Sequence, residues 1–209
     1  MCGYRGAILF GHPHRDLHHH YPRRRRITGK TPIQKKSFRY YRRTPDPLYG
    51  PIRALDVGTG FGRNAVFLAH HLAKGSHVWS VDPSGESLER GEAAVKAAGL
   101  MPLVTLVPGV AEHLPFADNV FHVTMAAMIF HHLVSLPPAL REMARVTRLG
   151  GKLLLVDWAP TAHLLPFAIE HRADDFFTAR AVVSMLNGLG LEVVSDQHPE
   201  WYVVEAVKK

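Results

Sequence analysis

The stretch ALDVGTGFGRNAVFLA, Ala54–Ala69, sets Gly58, Gly60 and Gly62 at alternate positions between a short apolar run and an apolar stripe of helical period. Glycine adopts positive φ without steric cost and lets a ligand come close to the main chain. Such residues at a strand-to-helix junction suit a ligand lying across the loop, beside the helix N-terminus and at the carboxyl edge of an open sheet. The spacing G-x-G-x-G differs from the G-x-G-x-x-G of dinucleotide folds, and no Gly-Lys-Ser/Thr follows, which excludes a nucleotide-triphosphate loop. Asp56 stands two residues ahead of the first glycine. A carboxylate there repels a pyrophosphate but attracts an ammonium or sulfonium cation.

Outward from this loop, strand-like and helix-like segments alternate, the pattern of parallel β-α units. Strands are expected at Arg53–Gly58, His77–Asp82, Val104–Gly109, Phe121–Met128, Lys152–Trp158, Leu191–Asp196 and Trp201–Val207, most of them short and rich in β-branched residues. The first helix carries Ala65, Leu68, Ala69 and Leu72 at i, i+3, i+4, i+7, a stripe that packs on a sheet. The second follows Ser84, a candidate N-cap, and closes at Gly99. The third has prolines in its first turn, Leu140, Met143 and Val146 inward, and the Gly150-Gly151 turn behind it. The fourth covers about residues 178–188, with Val182, Met185, Leu186 and Leu189 on one side. The few residues between the last two strands, Pro199 among them, cannot hold a helical crossover, so the last strand should return as an antiparallel hairpin.

With 209 residues, 46% of them apolar, the chain has room for one sizeable core. Its charge is concentrated: residues 1–46 hold 12 of the 25 Lys and Arg against only Asp16 and Asp46, a net +10. The regular alternation begins near Pro47, so 1–46 is read as a basic, His/Arg-rich arm and 47–209 as the folded domain. The arm is expected to be a solvated, disordered segment or a surface that tracks nucleic-acid phosphates, with Tyr40 and Tyr41 stacking on bases. Its histidines show no metal-ligand spacing, and no metal site is expected. The single cysteine, Cys2, excludes a disulfide framework and a cysteine-based zinc site. No apolar run approaches the roughly 18 residues of a membrane span. The start MCGYRGAILFG has too short an apolar centre for a secretory signal, so a cytoplasmic location is expected. The oligomeric state stays open.

The segment SVDPSG ends the second strand with Asp82, whose carboxylate can accept hydrogen bonds from both hydroxyls of a ribose. A cationic amino acid joined to a nucleoside satisfies the bare loop, Asp56 and Asp82 together; S-adenosylmethionine is that molecule. At this point the chain resembles the class I S-adenosylmethionine-dependent methyltransferases, particularly the quinone-biosynthesis-like C-methyltransferases of the methyltransferase domain 11 type, over about Arg53–Lys208. ALDVGTGFGRNAVFLA resembles the family's cofactor loop, and VWSVDPSGESLERG its ribose-binding acid. VPGVAEHLPFADNVFHVTMAAMIFHHL resembles its third and fourth strands with the adenine segment between, and EMARVTRLGGKLLLVDW the helix, turn and fifth strand that follow.

The resemblance implies an α/β fold, a Rossmann-like seven-stranded and mostly parallel sheet with helices on both faces and an antiparallel last strand. It further implies that Asp56 and the backbone of Gly58, Thr59, Gly60 and Gly62 hold the methionine end of the cofactor and that Asp82 holds the ribose. Pro83 would pack against adenine, and Ala111 would present its backbone N–H to the ring. Two positions depart from the family pattern. Val110 stands where an acid usually accepts the adenine amine, which leaves that task to Glu112 or a backbone carbonyl, and His122 stands where Asp is usual.

Methyl transfer from a sulfonium is an in-line displacement with a neutral thioether leaving group, so positioning and a dry pocket supply most of the acceleration. The methyl-facing wall is expected from Ala126, Ala127 and Met128, followed by His131 and His132, whose imidazoles could take a proton from the acceptor. In the family, a histidine here commonly belongs to the scaffold. Asp157 and Trp158 should floor the acceptor pocket, with Asp157 a candidate base, and TAHLLPFAIEHRADDFF lies where a lid would sit, its Phe167, Phe176 and Phe177 serving as core contacts. No Asn-Pro-Pro-Tyr-like tetrapeptide follows the fourth strand, which argues against amino methylation of adenine or glutamine, and the lack of a cysteine there disfavours thiol-dependent cytosine and arsenic methylation.

Three readings follow. The first is a methyltransferase acting on a small, apolar or aromatic acceptor. The second directs the same chemistry at RNA or a ribosomal protein through the arm and a face of Arg141, Arg145 and Arg148. The third is a non-catalytic S-adenosylmethionine-binding protein, motivated by Val110.

Overall fold

Strands and helices alternate through the computed structural model, which describes residues 50–133, 135–161, 176–197 and 200–209. The basic arm, most of the expected lid with Phe167, and Pro199 lie outside the described residues. Strands β1 (Arg53–Val57), β2 (His77–Asp82), β3 (Val104–Pro108), β4 (Phe121–Ala127) and β5 (Thr147–Trp158) form the parallel part of one sheet. With β6 (Leu191–Gln197) and β7 (Trp201–Lys208) the spatial order is β3-β2-β1-β4-β5-β7-β6. β7 runs antiparallel to both β5 and β6, the latter as the short connection between them requires. Strand order reverses direction between β1 and β4, and in open α/β sheets ligands bind at the carboxyl edge of such a point.

Among the described residues two helices lie on each face of the sheet, and the period-2 alternation of the strands decides which residues meet which pair. Helices α1 (Arg63–His71) and α2 (Gly85–Ala97) pack on Ala54, Val78, Val104, Val123 and Met125. Helices α3 (Leu136–Val146) and α4 (Ala179–Gly188) pack on Leu55, Val57, Phe121, Leu153, Leu155 and Val204. The same alternation puts Asp56, Ser80 and Asp82 on the side of α1 and α2, and Asp157 and Tyr202 on the side of α3 and α4.

The expected caps are present: the Ser84 hydroxyl accepts the Ser87 N–H at 3.3 Å, and Gly99 follows α2 with φ +71°. Leu140, Met143 and Val146 of α3 are fully buried. Two expectations need correction. Leu189 is exposed, because α4 ends at Gly188 and the chain turns there through Gly190 at φ +77°. β5 starts at Thr147, five residues earlier than the Lys152 expected from sequence. The Thr147 hydroxyl donates to the Met143 carbonyl at 2.7 Å and bonds the Thr124 hydroxyl at 2.7 Å, which ends α3 and joins the chain to β4 at once. Phe121 pairs with Thr147, and the register then shifts before Val123 pairs with Lys152. The Gly150-Gly151 turn is therefore a kink within β5, where a Cβ on Gly151 would stand 2.8 Å from the Arg148 carbonyl. No helix among the described residues is long and apolar enough to cross a membrane.

Candidate active site

The loop after β1 is pinned to the neighbouring strand. Gly58 and Thr59 both donate their N–H to the Val81 carbonyl, at 2.8 and 3.1 Å, and Gly62 donates to the Thr59 carbonyl at 2.7 Å. Gly58, Gly60 and Gly62 all have positive φ, at +92°, +47° and +70°. Their crowding differs. A Cβ on Gly58 would strike Ile129, and one on Gly62 would stand 2.9 Å from the Cα of Gly91 on α2, whereas one on Gly60 would meet nothing within 4 Å. Two glycines thus permit close packing, and the middle one leaves an open space over the loop.

Beneath the loop Asp56 is fully buried. Its Oδ2 accepts the Ser80 hydroxyl at 2.7 Å, and Ser80 bonds the Thr59 hydroxyl at 2.8 Å. Its Oδ1 is buried and has no hydrogen-bond partner. Burial pushes the carboxyl up from its ordinary 3.8 to about 7, opposed by Ser80 and Asn64 and reinforced by the negative charge of Asp82. An orphaned carboxylate oxygen in such a place costs stability unless something cationic or donating meets it.

Asp82, at the end of β2, is held by main chain on both oxygens: Gly60 N–H donates to Oδ2 at 3.0 Å and Ser84 N–H to Oδ1 at 2.9 Å. Each oxygen retains acceptor capacity beyond these bonds. Gly109 N–H donates to the Asp82 carbonyl at 3.3 Å and brings the segment after β3 alongside, where Val110 and His113 form a short bridge. There Ala111 is buried, Glu112 half-buried, and Val110 and Pro83 exposed.

At the carboxyl ends of β4 and β5, Asp157 is buried and accepts three N–H groups: Phe130 at 2.6 Å, Trp158 at 2.7 Å and the His131 Nδ1 at 2.7 Å. The His131 ring lies 4.1 Å from that of His132 and 5.6 Å from that of Phe176. Opposite Asp157 on β7, the hydroxyl of buried Tyr202 has no hydrogen-bond partner, and burial raises its pKa, with the Asp157 charge adding to the effect.

Residues 55–155 match the family model described as a methyltransferase domain. A methyltransferase domain thus matches just under half of the chain. Among curated proteins it is similar to the ubiquinone/menaquinone biosynthesis C-methyltransferase UbiE of Bartonella henselae, with 27% identity over 75% of this chain and 57% of the relative. The chain therefore spans little more than half of that protein's length. Among solved structures it is similar to a SAM dependent methyltransferase from Aquifex aeolicus, with TM-score 0.64, 22% identity, and coverage of 76% of this chain and 82% of the other. It is also similar to the [4+2]-cyclase SpnF, with TM-score 0.68, 18% identity, and coverage of 83% of this chain and 80% of the other. These two likenesses concern the fold, which methyltransferase and cyclase share.

The residues fit the family's cofactor: the orphaned Asp56 oxygen offers an acceptor to an ammonium, and the open space over Gly60 admits a ligand against the main chain. The structure gathers Asp56, Gly58, Thr59, Gly60, Gly62 and Asp82 into one cradle. Ala126 differs from the expected wall, since its methyl is sealed among Leu55, Val57 and other core residues; Ala127 and Met128 are half-buried at the rim. Arg145 points into a hydrogen-bonded network rather than joining Arg141 and Arg148 in an open basic face. His122, the other departure from the family pattern, accepts the Arg53 N–H through Nδ1 at 3.2 Å and so satisfies the start of β1. Sequence reasoning missed Ser80 and Gly91. Ser80 was detectable as the residue two before Asp82, hence on the same strand face, while Gly91 gave no local signal because its need arises from Thr59, whose Cγ2 would lie 2.4 Å from a Cβ there.

Proposed function

We propose that this chain transfers the methyl group of S-adenosylmethionine to a small, apolar or aromatic acceptor. The observation that carries the reading is Asp56, a sealed carboxylate with one unpartnered oxygen directly under the glycine loop. When bound, the cofactor supplies an electrophilic methyl on a sulfonium, open to in-line displacement with a neutral thioether as leaving group.

The chain's own part is to hold, orient and exclude water. Asp56 receives the ammonium, the Gly58–Gly62 main chain supports the methionine end, and Asp82 uses its remaining lone pairs on the ribose hydroxyls. Pro83, Ala111 and Glu112 border the base. On the acceptor side Asp157 commits its oxygens to Phe130, Trp158 and His131, so it orients His131 instead of taking a proton itself. His131, so oriented, takes the acceptor's proton, with the His132 ring tilted beside it. The name of the UbiE relative, a C-methyltransferase of quinone biosynthesis, is in keeping with an aromatic carbon acceptor. An RNA acceptor has less support, because Arg145 is committed inward.

Incubation of the purified protein with S-adenosylmethionine and a cell extract tests the reading by mass spectrometry. S-adenosylhomocysteine together with a methylated small molecule is the expected result. No S-adenosylhomocysteine from any extract contradicts it, and methylated RNA or protein as the sole product contradicts the choice of acceptor.

A further inference from the structure

Arg145 lies on α3, whose packing face looks away from the cradle of Asp56, yet its guanidinium is engaged on every nitrogen. Nε and Nη2 donate to the two oxygens of Glu142 at 2.6 and 2.7 Å. Nη1 donates to the Phe116 carbonyl at 2.8 Å and to Asp118 Oδ1 at 2.7 Å, and Nη2 also reaches the Leu114 carbonyl at 3.2 Å. Glu142 in turn accepts the Leu114 N–H at 2.8 Å, and the Arg145 carbonyl accepts the Asn119 N–H at 3.0 Å. Residues 114–119 are thus fastened to α3 at both ends, largely by charge-assisted bonds.

The connection between β3 and β4 contains no helix, so its position depends on such fastenings. Its other half, residues 109–113, is the turn joined to Asp82 through Gly109 and carries Ala111 into the core. One short segment therefore links the acid assigned to the ribose with an ion pair on the opposite side of the sheet.

We infer that Arg145 is a positioning residue for the nucleoside end of the cofactor, acting through Glu142 and residues 109–119 without touching the ligand. The inference rests on the proposed cofactor site. Without the clamp the segment spends part of its time away from Asp82, and affinity falls by the fraction of time it is in place. A loss to a tenth occupancy weakens binding about tenfold. The loss belongs to the nucleoside end alone.

Two probes separate the ends of the site: S-adenosylhomocysteine, which carries the amino acid, and 5′-methylthioadenosine, which lacks it. Calorimetric titration of Arg145→Met is expected to show both probes weakened by the same factor, about tenfold. Asp56→Asn is expected to weaken S-adenosylhomocysteine alone. Hydrogen exchange at residues 109–119 should quicken in Arg145→Met while that of β1 and β2 stays protected. Glu142→Gln, which keeps the shape and removes one charge, serves if Arg145→Met does not fold, and should weaken both probes in the same sense. Unchanged affinity for both probes in a folded variant overturns the inference, as does a loss confined to S-adenosylhomocysteine. Failure of the wild-type protein to bind either probe overturns the cofactor site instead.

Discussion

The Nδ1 of His131 lies 2.7 Å from Oδ1 of Asp157, and the same buried carboxylate accepts the backbone N–H groups of Phe130 and Trp158. One acid thereby ties the turn after β4 to the end of β5. Asp157→Asn keeps the outline but presents an NH₂ group where backbone donors already point. Stability should fall by about 2–4 kcal/mol, the cost of stranding buried donors. His131→Gln leaves both backbone bonds in place and should cost clearly less. Urea denaturation of the two variants checks this; equal losses would show that the backbone bonds do not matter.

Asp56 should make the protein sensitive to pH near neutrality. Its folded-state value, about 7, lies above the ordinary 3.8, so between these values the folded protein holds a proton that the unfolded chain has released. Its contribution to stability is therefore present at low pH and is lost as pH rises toward 7 and beyond. The stability of the wild type relative to Asp56→Asn should decline over that window. Cofactor affinity should move the opposite way, rising as Asp56 ionises to meet the ammonium. Calorimetry in buffers of different ionisation enthalpy should detect proton release on binding below pH 7; binding without release, or equal affinity at pH 6 and pH 7.5, would count against the assigned contact.

Two glycine substitutions should separate packing from binding. In Gly91→Ala the new methyl would lie 2.4 Å from Thr59 Cγ2 and would push aside the residue that bonds Ser80 above Asp56. Overpacking of this kind costs about 1–3 kcal/mol. Gly60→Ala meets no atom but holds φ +47°, so strain of about 1–2 kcal/mol is expected. Its methyl also enters the space over the loop, so binding should suffer beyond that loss. Thermal melts and S-adenosylmethionine titrations of both variants provide the comparison; full binding by Gly60→Ala would place the ligand elsewhere.

Lys208, near the end of β7, closes the C-terminus of α3 by donating to the carbonyls of Ala144 and Thr147, both at 2.8 Å, and to Asn119 Oδ1 at 2.9 Å. A cation on the last carbonyls of a helix complements its dipole. Lys208→Met should lower stability by about 1–2 kcal/mol. A destabilisation too small to measure in denaturant titrations would contradict this role.

The sheet was legible because its strands are short, β-branched and separated by turn residues, and the final hairpin followed from the lack of room before Trp201. The cradle was legible in Asp56, Gly60 and Asp82 because each marks a fixed place in a strand-loop-helix unit. What escaped depends on atoms distant in sequence. Ser80 meets Asp56 across two strands, Gly91 yields to Thr59 on another loop, and Arg145, which reads as an open basic residue, turns inward because Glu142, Asp118 and the carbonyls of Leu114 and Phe116 converge on it. The early start of β5 escaped for a related reason, since Thr147 leaves the helix only by meeting Thr124 on β4.

Calorimetric titration with S-adenosylmethionine, carried out side by side on the wild type and Asp82→Ala, tests the central claim most directly. Saturable binding in the micromolar range, weakened at least about tenfold by loss of the ribose contacts, is the expected result. No binding by the wild type, or identical isotherms for the two proteins, would contradict it.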